Sequence, residues 1–142
     1  MFANLTGKQV LVLEPEPIVC LNLVLALEQI EATVLAAQTV SRAHELLELR
    51  RMAAAVINGD ALDDVKPLCA LLRERRIPFI LHGCSEAVDL GAARVMSKPA
   101  LATTVAAAVA FALQGRNVRG TRAGGLQRSP RAATAAQPVA EY

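Results

Sequence analysis

Aromatic residues are scarce in this chain: there is no Trp and one Tyr, and Phe, Trp and Tyr together make up 3% of 142 residues. The core must therefore be aliphatic and rich in alanine, and the 54% hydrophobic content is enough to build one. Cysteine is also rare and odd in number. Cys20, Cys69 and Cys84 lie in or beside apolar runs, which argues against a disulfide framework and for free thiols in a reducing cytoplasm. No apolar run is long enough to span a bilayer, since the most apolar window, Ile18–Leu27, soon meets Glu28 and Glu31. Met1–Gly7 lacks the charged start and apolar stretch of a signal peptide. The expectation is a soluble cytoplasmic protein without membrane contact. Also missing are a Gly-rich phosphate loop, a Ser/His/Asp arrangement with a nucleophile turn, and zinc-ligand spacing. His82 with Cys84 supplies only two ligands, and zinc sites use three or four.

Charge is unevenly distributed. Residues 1–114 hold ten Lys/Arg against twelve Asp/Glu, a net −2, and residues 115–142 hold five arginines against Glu141, a net +4. Large apolar residues nearly vanish after Gln114, so residues 1–114 read as one domain and 115–142 as a disordered basic tail. The tail arginines (Arg116, Arg119, Arg122, Arg128, Arg131) suit a phosphate-directed contact with nucleic acid or an acidic membrane. They lack interleaved aromatics, so a solvating tail is favoured.

Within the body, strands and helices alternate, with no internal repeat. Lys8–Leu13 is an apolar, β-branched strand closing on Glu14-Pro15-Glu16-Pro17, where Pro17 can open a helix. That helix, Ile18–Ile30, is apolar nearly all round, with Val24 and Leu25 as surplus apolar surface. Thr33–Ala37 is a second strand, and Ser41 is placed to cap a helix over Arg42–Arg51. Ala53–Ile57 is a third strand, whose unbroken run stops at Asn58-Gly59-Asp60. Asp63 or Asp64 can cap the next helix, with Pro67 in its first turn and Val65, Leu68, Cys69, Leu71 and Leu72 inward. Pro78–Leu81 is a fourth strand ending at His82-Gly83, Ser85–Leu90 allows one or two helical turns, and Arg94–Ser97 is a fifth strand. Lys98-Pro99 and an alanine-rich helix over Ala102–Gln114 follow. Five strands alternating with helices imply an α/β fold, a doubly wound parallel sheet covered on both faces. In such sheets chemistry sits at the carboxyl edge of the strands.

These pieces resemble the receiver domain of two-component response regulators. The resemblance rests on Val-Leu-Val-Leu-Glu-x-Glu-Pro at Val10–Pro17, the strand closing at Asn58, the step at His82-Gly83, and Lys98-Pro99. It implies a flavodoxin/CheY-like sheet in order 2-1-3-4-5, with the first and fifth helices on one face and a shortened fourth helix. It also implies a site for phosphoryl transfer to an aspartate, in which a carboxylate is the nucleophile and Mg²⁺ and a lysine neutralise the developing charge. Glu14 matches the first acidic position and Lys98 the lysine. Pro15 replaces the second acid, Asn58 the acceptor aspartate and His82 the hydroxyl, and Val95 stands at the aromatic switch position. An amide cannot carry the acyl phosphate. The expectation is a pseudo-receiver, not an enzyme, that acts by protein–protein contact.

No cofactor is assigned; Glu14, Glu16 and Asp60 are weak candidates for binding Mg²⁺. Asn58 is expected to bond loop backbone, and Lys98 to donate to the Asn58 carbonyl or pair with Glu14. Phosphorylation of Asp60 is the rival reading, disfavoured because Gly59 is expected to carry Asp60 away from Lys98. Expected partners are a histidine kinase, a phosphotransfer protein or another regulator. A homodimer is expected through the first and last helices at Val24, Leu25, Ala107 and Phe111.

Overall fold

Five short parallel strands form the centre of the chain in a computed structural model that describes residues 4–83, 90–98 and 100–122, with side chains through Gln114. They are β1 (Gln9–Leu13), β2 (Thr33–Ala37), β3 (Ala54–Asn58), β4 (Phe79–His82) and β5 (Arg94–Met96). Their order, β2-β1-β3-β4-β5, is the one expected from the resemblance. Helices α1 (Pro17–Gln29), α2 (Val40–Leu49), α3 (Leu62–Glu74) and α4 (Ala102–Arg122) cover the two faces.

Alternation along the strands sorts side chains into two cores. Val10, Val12, Ala54, Val56 and Ile80 pack under α1 and α4. Leu11, Leu13, Ala55, Ile57, Phe79 and Leu81 pack under α2 and α3. Each residue of β3 is buried, as an unbroken apolar run in the middle of a parallel sheet requires.

The ends of β3 and β4 fall one residue later than the sequence suggests, and β5 ends one residue earlier, at Met96. β3 runs to Asn58 and β4 to His82 because those two residues form the last pair of their ladder. The Gly59 N–H extends the pairing by donating to the His82 carbonyl at 2.7 Å. The polar residues at both tips are therefore held by strand geometry.

Three helix ends also differ from expectation. Thr39, not Ser41, caps α2, its hydroxyl accepting from the Arg42 N–H at 3.1 Å. The chain is already helical at Val40, so Ser41 arrives too late to cap. α3 starts at Leu62 with Ala61 in the cap position, so Asp63 and Asp64 lie in the first turn and Pro67 inside the helix. The two carboxylates still face the positive end of the helix dipole. At the C-terminal end, α4 continues to Arg122 rather than stopping at Gln114. Extending a formed helix takes far less than starting one, and neither Gly115 nor Gly120 ends it.

Cys20 and Cys69 are buried free thiols, and burial pushes Cys69 up to about 11. No helix among the described residues is long and apolar enough to cross a membrane. Cys84, most of the Ser85–Leu90 turn that would form the shortened helix, Pro99 and the tail beyond Arg122 lie outside the described residues.

Candidate functional site

The carboxyl edge of the sheet gathers four polar residues from the ends of four strands. Glu14 follows β1 and is fully buried. Asn58 ends β3, His82 ends β4, and Lys98 lies just beyond β5. The Asn58 amide donates to Glu14 Oε1 at 3.0 Å. Lys98 Nζ lies between both Glu14 oxygens, 3.3 Å from Oε1 and 3.4 Å from Oε2. The Glu16 N–H donates to Oε2 at 3.1 Å, so both oxygens of the buried carboxylate are engaged. A buried carboxylate is tolerated only when paired and hydrogen-bonded in this way.

Asp60 completes the group, which corrects the sequence expectation. Gly59 does not carry it away: Asp60 Oδ2 lies 3.3 Å from Lys98 Nζ. The reason is local. Asn58 Oδ1 accepts from the Asp60 N–H at 2.9 Å, closing a turn that folds Asp60 back over the site. Asn58 Nδ2 is also 3.3 Å from Asp60 Oδ2. The Asn58 side chain does bond loop backbone. Of the two partners foreseen for Lys98, it takes Glu14 and adds Asp60, while the Asn58 carbonyl serves the loop.

Charges explain the titration. Burial lowers the Lys98 pKa, but Glu14 and Asp60 outweigh burial and the net shift is upward, so Lys98 stays an ammonium. His82 moves the other way. Burial and the nearby Lys98 charge hold it below the ordinary imidazole value, against weaker opposite pulls from Glu14 and Asp60. Neither ring nitrogen has a hydrogen-bond partner among the described residues, and Nδ1 stands 3.9 Å from Glu14 Oε1. His82 is therefore a buried ring at the tip of β4, pushed toward its neutral form.

The donor set does not fit Mg²⁺. The ammonium of Lys98 already bridges Glu14 and Asp60, Glu16 is exposed, Pro15 has no ligand atom, and Asn58 donates its amide to Glu14. No group of three metal-ligating side chains occurs among the described residues.

Gly83 is a site residue that the sequence signals only as a turn. Its φ is +102°, and a Cβ there would lie 2.7 Å from Asp60 Oδ1 and 3.3 Å from Lys98 Cε. Only glycine lets the β4 tip pass this close to the pair.

The expected interaction face divides. Leu25 is 49% exposed, but Val24 is half-buried and packs against the core. Ile18 and Leu21 join Leu25 instead, at i, i+3 and i+7 on one stripe of α1, which a helix apolar nearly all round does not mark as the outer one. Ala107 and Phe111 are exposed on α4, Phe111 at 77%. Phe111 lines a cleft with residues from α3, β4 and β5, and no α1 residue lines that cleft. It does not extend the Leu25 stripe. Val95 is partly exposed at the β5 edge.

No protein-family model and no curated protein matches the sequence. Solved structures do match. The signal receiver domain of a putative LuxO repressor protein from Vibrio parahaemolyticus superposes with a TM-score of 0.69 at 16% identity, over 83% of this chain and 98% of that one. An orphan response regulator of H. pylori matches with a TM-score of 0.65 at 12% identity, over 75% and 97%. A streptococcal protein, described as a redox sensor from a family evolved from two-component response regulators, matches with a TM-score of 0.72 at 20% identity, over 90% of this chain and 60% of that one. The sheet order, the two-sided helical layers and these superpositions agree: the chain has the CheY-like fold of response-regulator receiver domains.

Proposed function

We propose that this chain is a receiver-like protein of two-component signalling that is not phosphorylated, is not an enzyme and acts by protein–protein contact. One observation carries the reading. The position that would hold the acceptor aspartate is Asn58, and its amide is committed to Glu14 and the Asp60 turn. Glu14, Asp60 and Lys98 together carry one net negative charge, with the ammonium already between the two carboxylates. Such a site neither needs a divalent cation nor offers a nucleophile at the strand tip. It resembles a switch held in one state.

Contact surfaces then carry the output. The Ile18–Leu21–Leu25 stripe of α1 supports docking of a histidine kinase, a phosphotransfer protein, another regulator or a second copy of the chain. Light scattering on the wild type and Leu25→Glu tests the homodimer. A dimer that the variant dissociates supports it, and a monomeric wild type sinks it.

Asp60 favours a second reading. Its side chain is 58% exposed and lies 3.3 Å from Lys98, so a phosphodonor can reach a carboxylate beside the lysine. Intact mass after incubation with acetyl phosphate and Mg²⁺ separates the two readings. The expected result is no added phosphoryl group; an addition abolished by Asp60→Asn would establish the second reading.

A further inference from the structure

The amino edge of the sheet, opposite Glu14 and Lys98, holds a cleft of about 650 Å³ that adjoins the one lined by Phe111 and shares Ile77 with it. Its walls are apolar at Leu47, Met52 and Leu113, and Leu49 on its rim is 70% exposed. The β1–β3 ladder builds its basic side. The Ala53 N–H donates to the Gln9 carbonyl at 2.7 Å, which brings Lys8 alongside the turn at Arg50 and Arg51. Those three cations are exposed and have no ion-pair partner among the described residues. Arg75 is already engaged, by Glu48 at 3.1 Å and by the Leu47 carbonyl at 3.1 Å, and Arg76 has a partner as well.

The outer stripe of α1 is the chemical complement of this cleft. Residues 9–41 contain four glutamates and no Lys or Arg. Glu14 is buried in the carboxyl-edge group, and Glu31 accepts from the Thr6 hydroxyl at 2.8 Å. Glu16 and Glu28 are exposed, with no ion-pair partner among the described residues. Glu28 continues the stripe of Ile18, Leu21 and Leu25 at i+10, and Glu16 stands just before the helix. An exposed apolar stripe thus ends in a carboxylate on either side. Helices dock into grooves through anchors at this spacing, and opposite charges at the rim fix their orientation. Two other occupants suit the cleft less well. No aromatic residue lines it to stack a base, and the basic tail carries the same sign of charge.

We infer that α1 of one copy of this chain seats in the amino-edge cleft of the next. Ile18, Leu21 and Leu25 meet Leu49 and Leu113, and Glu16 and Glu28 meet Lys8, Arg50 and Arg51. No residue of α1 lines the cleft, so the two patches are distinct and the contact is heterologous, passing from copy to copy. The inference rests on the α1 stripe as a docking surface and names both its occupant and the seat.

Analytical ultracentrifugation of the full-length protein tests it. Wild type is expected to self-associate, with an association constant that falls about tenfold or more between about 0.05 and about 0.5 M salt. Leu21→Glu keeps the cleft and loses the stripe, whereas Arg50→Glu with Arg51→Glu keeps the stripe and loses the cleft. All three positions are exposed, so the circular dichroism spectra should match wild type. Ile18→Glu, also exposed, replaces Leu21→Glu if that variant does not fold. Each variant alone should be monomeric, and their equimolar mixture should form a one-to-one heterodimer and grow no further. The inference is overturned if wild type is monomeric at about 1 mM, or if the mixture stays monomeric. It is also overturned if the arginine variant associates as tightly as wild type. That last result would keep α1 as a docking surface and remove the cleft as its seat.

Discussion

At the carboxyl edge of the sheet, Glu14, Asn58, Asp60 and Lys98 satisfy one another within 3.4 Å, and the group is closed. At the amino edge, Arg73, Arg76 and Arg94 surround a cleft that no carboxylate lines among the described residues. Both edges are polar ends of the same aliphatic sheet. The first resembles the reaction site of the fold but has its charges tied to each other. The second has no counterpart in the motif, yet presents concentrated positive charge beside apolar walls. Polar groups that satisfy each other contribute to stability, whereas the amino edge gathers exposed charge of one sign beside apolar walls. Variants at the two edges should therefore differ in their effect on stability.

The largest effect is expected from Glu14→Ala. It leaves Lys98 with Asp60 alone and removes the nearer acceptor of the Asn58 amide, and denaturant unfolding should show a loss of about 3 kcal/mol. A loss below about 1 kcal/mol would mean the carboxyl edge is not a stabilising network. Next comes Asn58→Asp, which places a third carboxylate against Glu14 and Asp60. A loss of about 1–3 kcal/mol is expected, from an abolished donor and like-charge repulsion. Millimolar Mg²⁺ should raise the thermal midpoint of this variant and leave the wild type unmoved, sharpening the claim that the Asn58 amide, committed to Glu14, keeps the cation out.

His82 gives a smaller, pH-dependent effect. Its folded pKa lies below its unfolded value of 6.5, so on acidification the unfolded chain takes up the proton first. The His82 contribution is thus full above pH 6.5 and falls as the pH drops toward the folded value. Urea unfolding across that window should show wild type losing stability with acid more steeply than His82→Leu. Equal slopes would place a compensating partner on the ring. The smallest stability effect is expected at the amino edge. Arg73→Gln should change unfolding by no more than about 0.5 kcal/mol, since Arg73 lies at an exposed position at the end of α3. A larger loss would erase the contrast between the edges.

Much of this was legible in the residues. The β-branched runs at Val10–Leu13 and Val56–Ile57, cut off by Glu14 and Asn58, placed two strand tips before any packing was known. His82 and Lys98 followed from the same logic of strand ends. The aliphatic composition called for the two thin, alanine-containing cores that the strands divide between them. Helix starts were less legible, because Thr39 and Ser41 are chemically alike as caps and only the backbone path decides which one is in place.

By itself, the sequence determined the order of elements, the parallel sheet and the identity of the residues at its tips. Those depend on periodicity and on local stops, which are properties of neighbours along the chain. Tertiary structure alone decided that Asp60 returns to Lys98, that Val24 turns inward while Ile18 and Leu21 stay out, and that Arg73, Arg76 and Arg94 meet around one cleft. These are relations between segments distant in sequence or between faces of a helix with little apolar contrast. Side-chain periodicity does not encode them; they are fixed by the ladder register and by which helix face the core accepts.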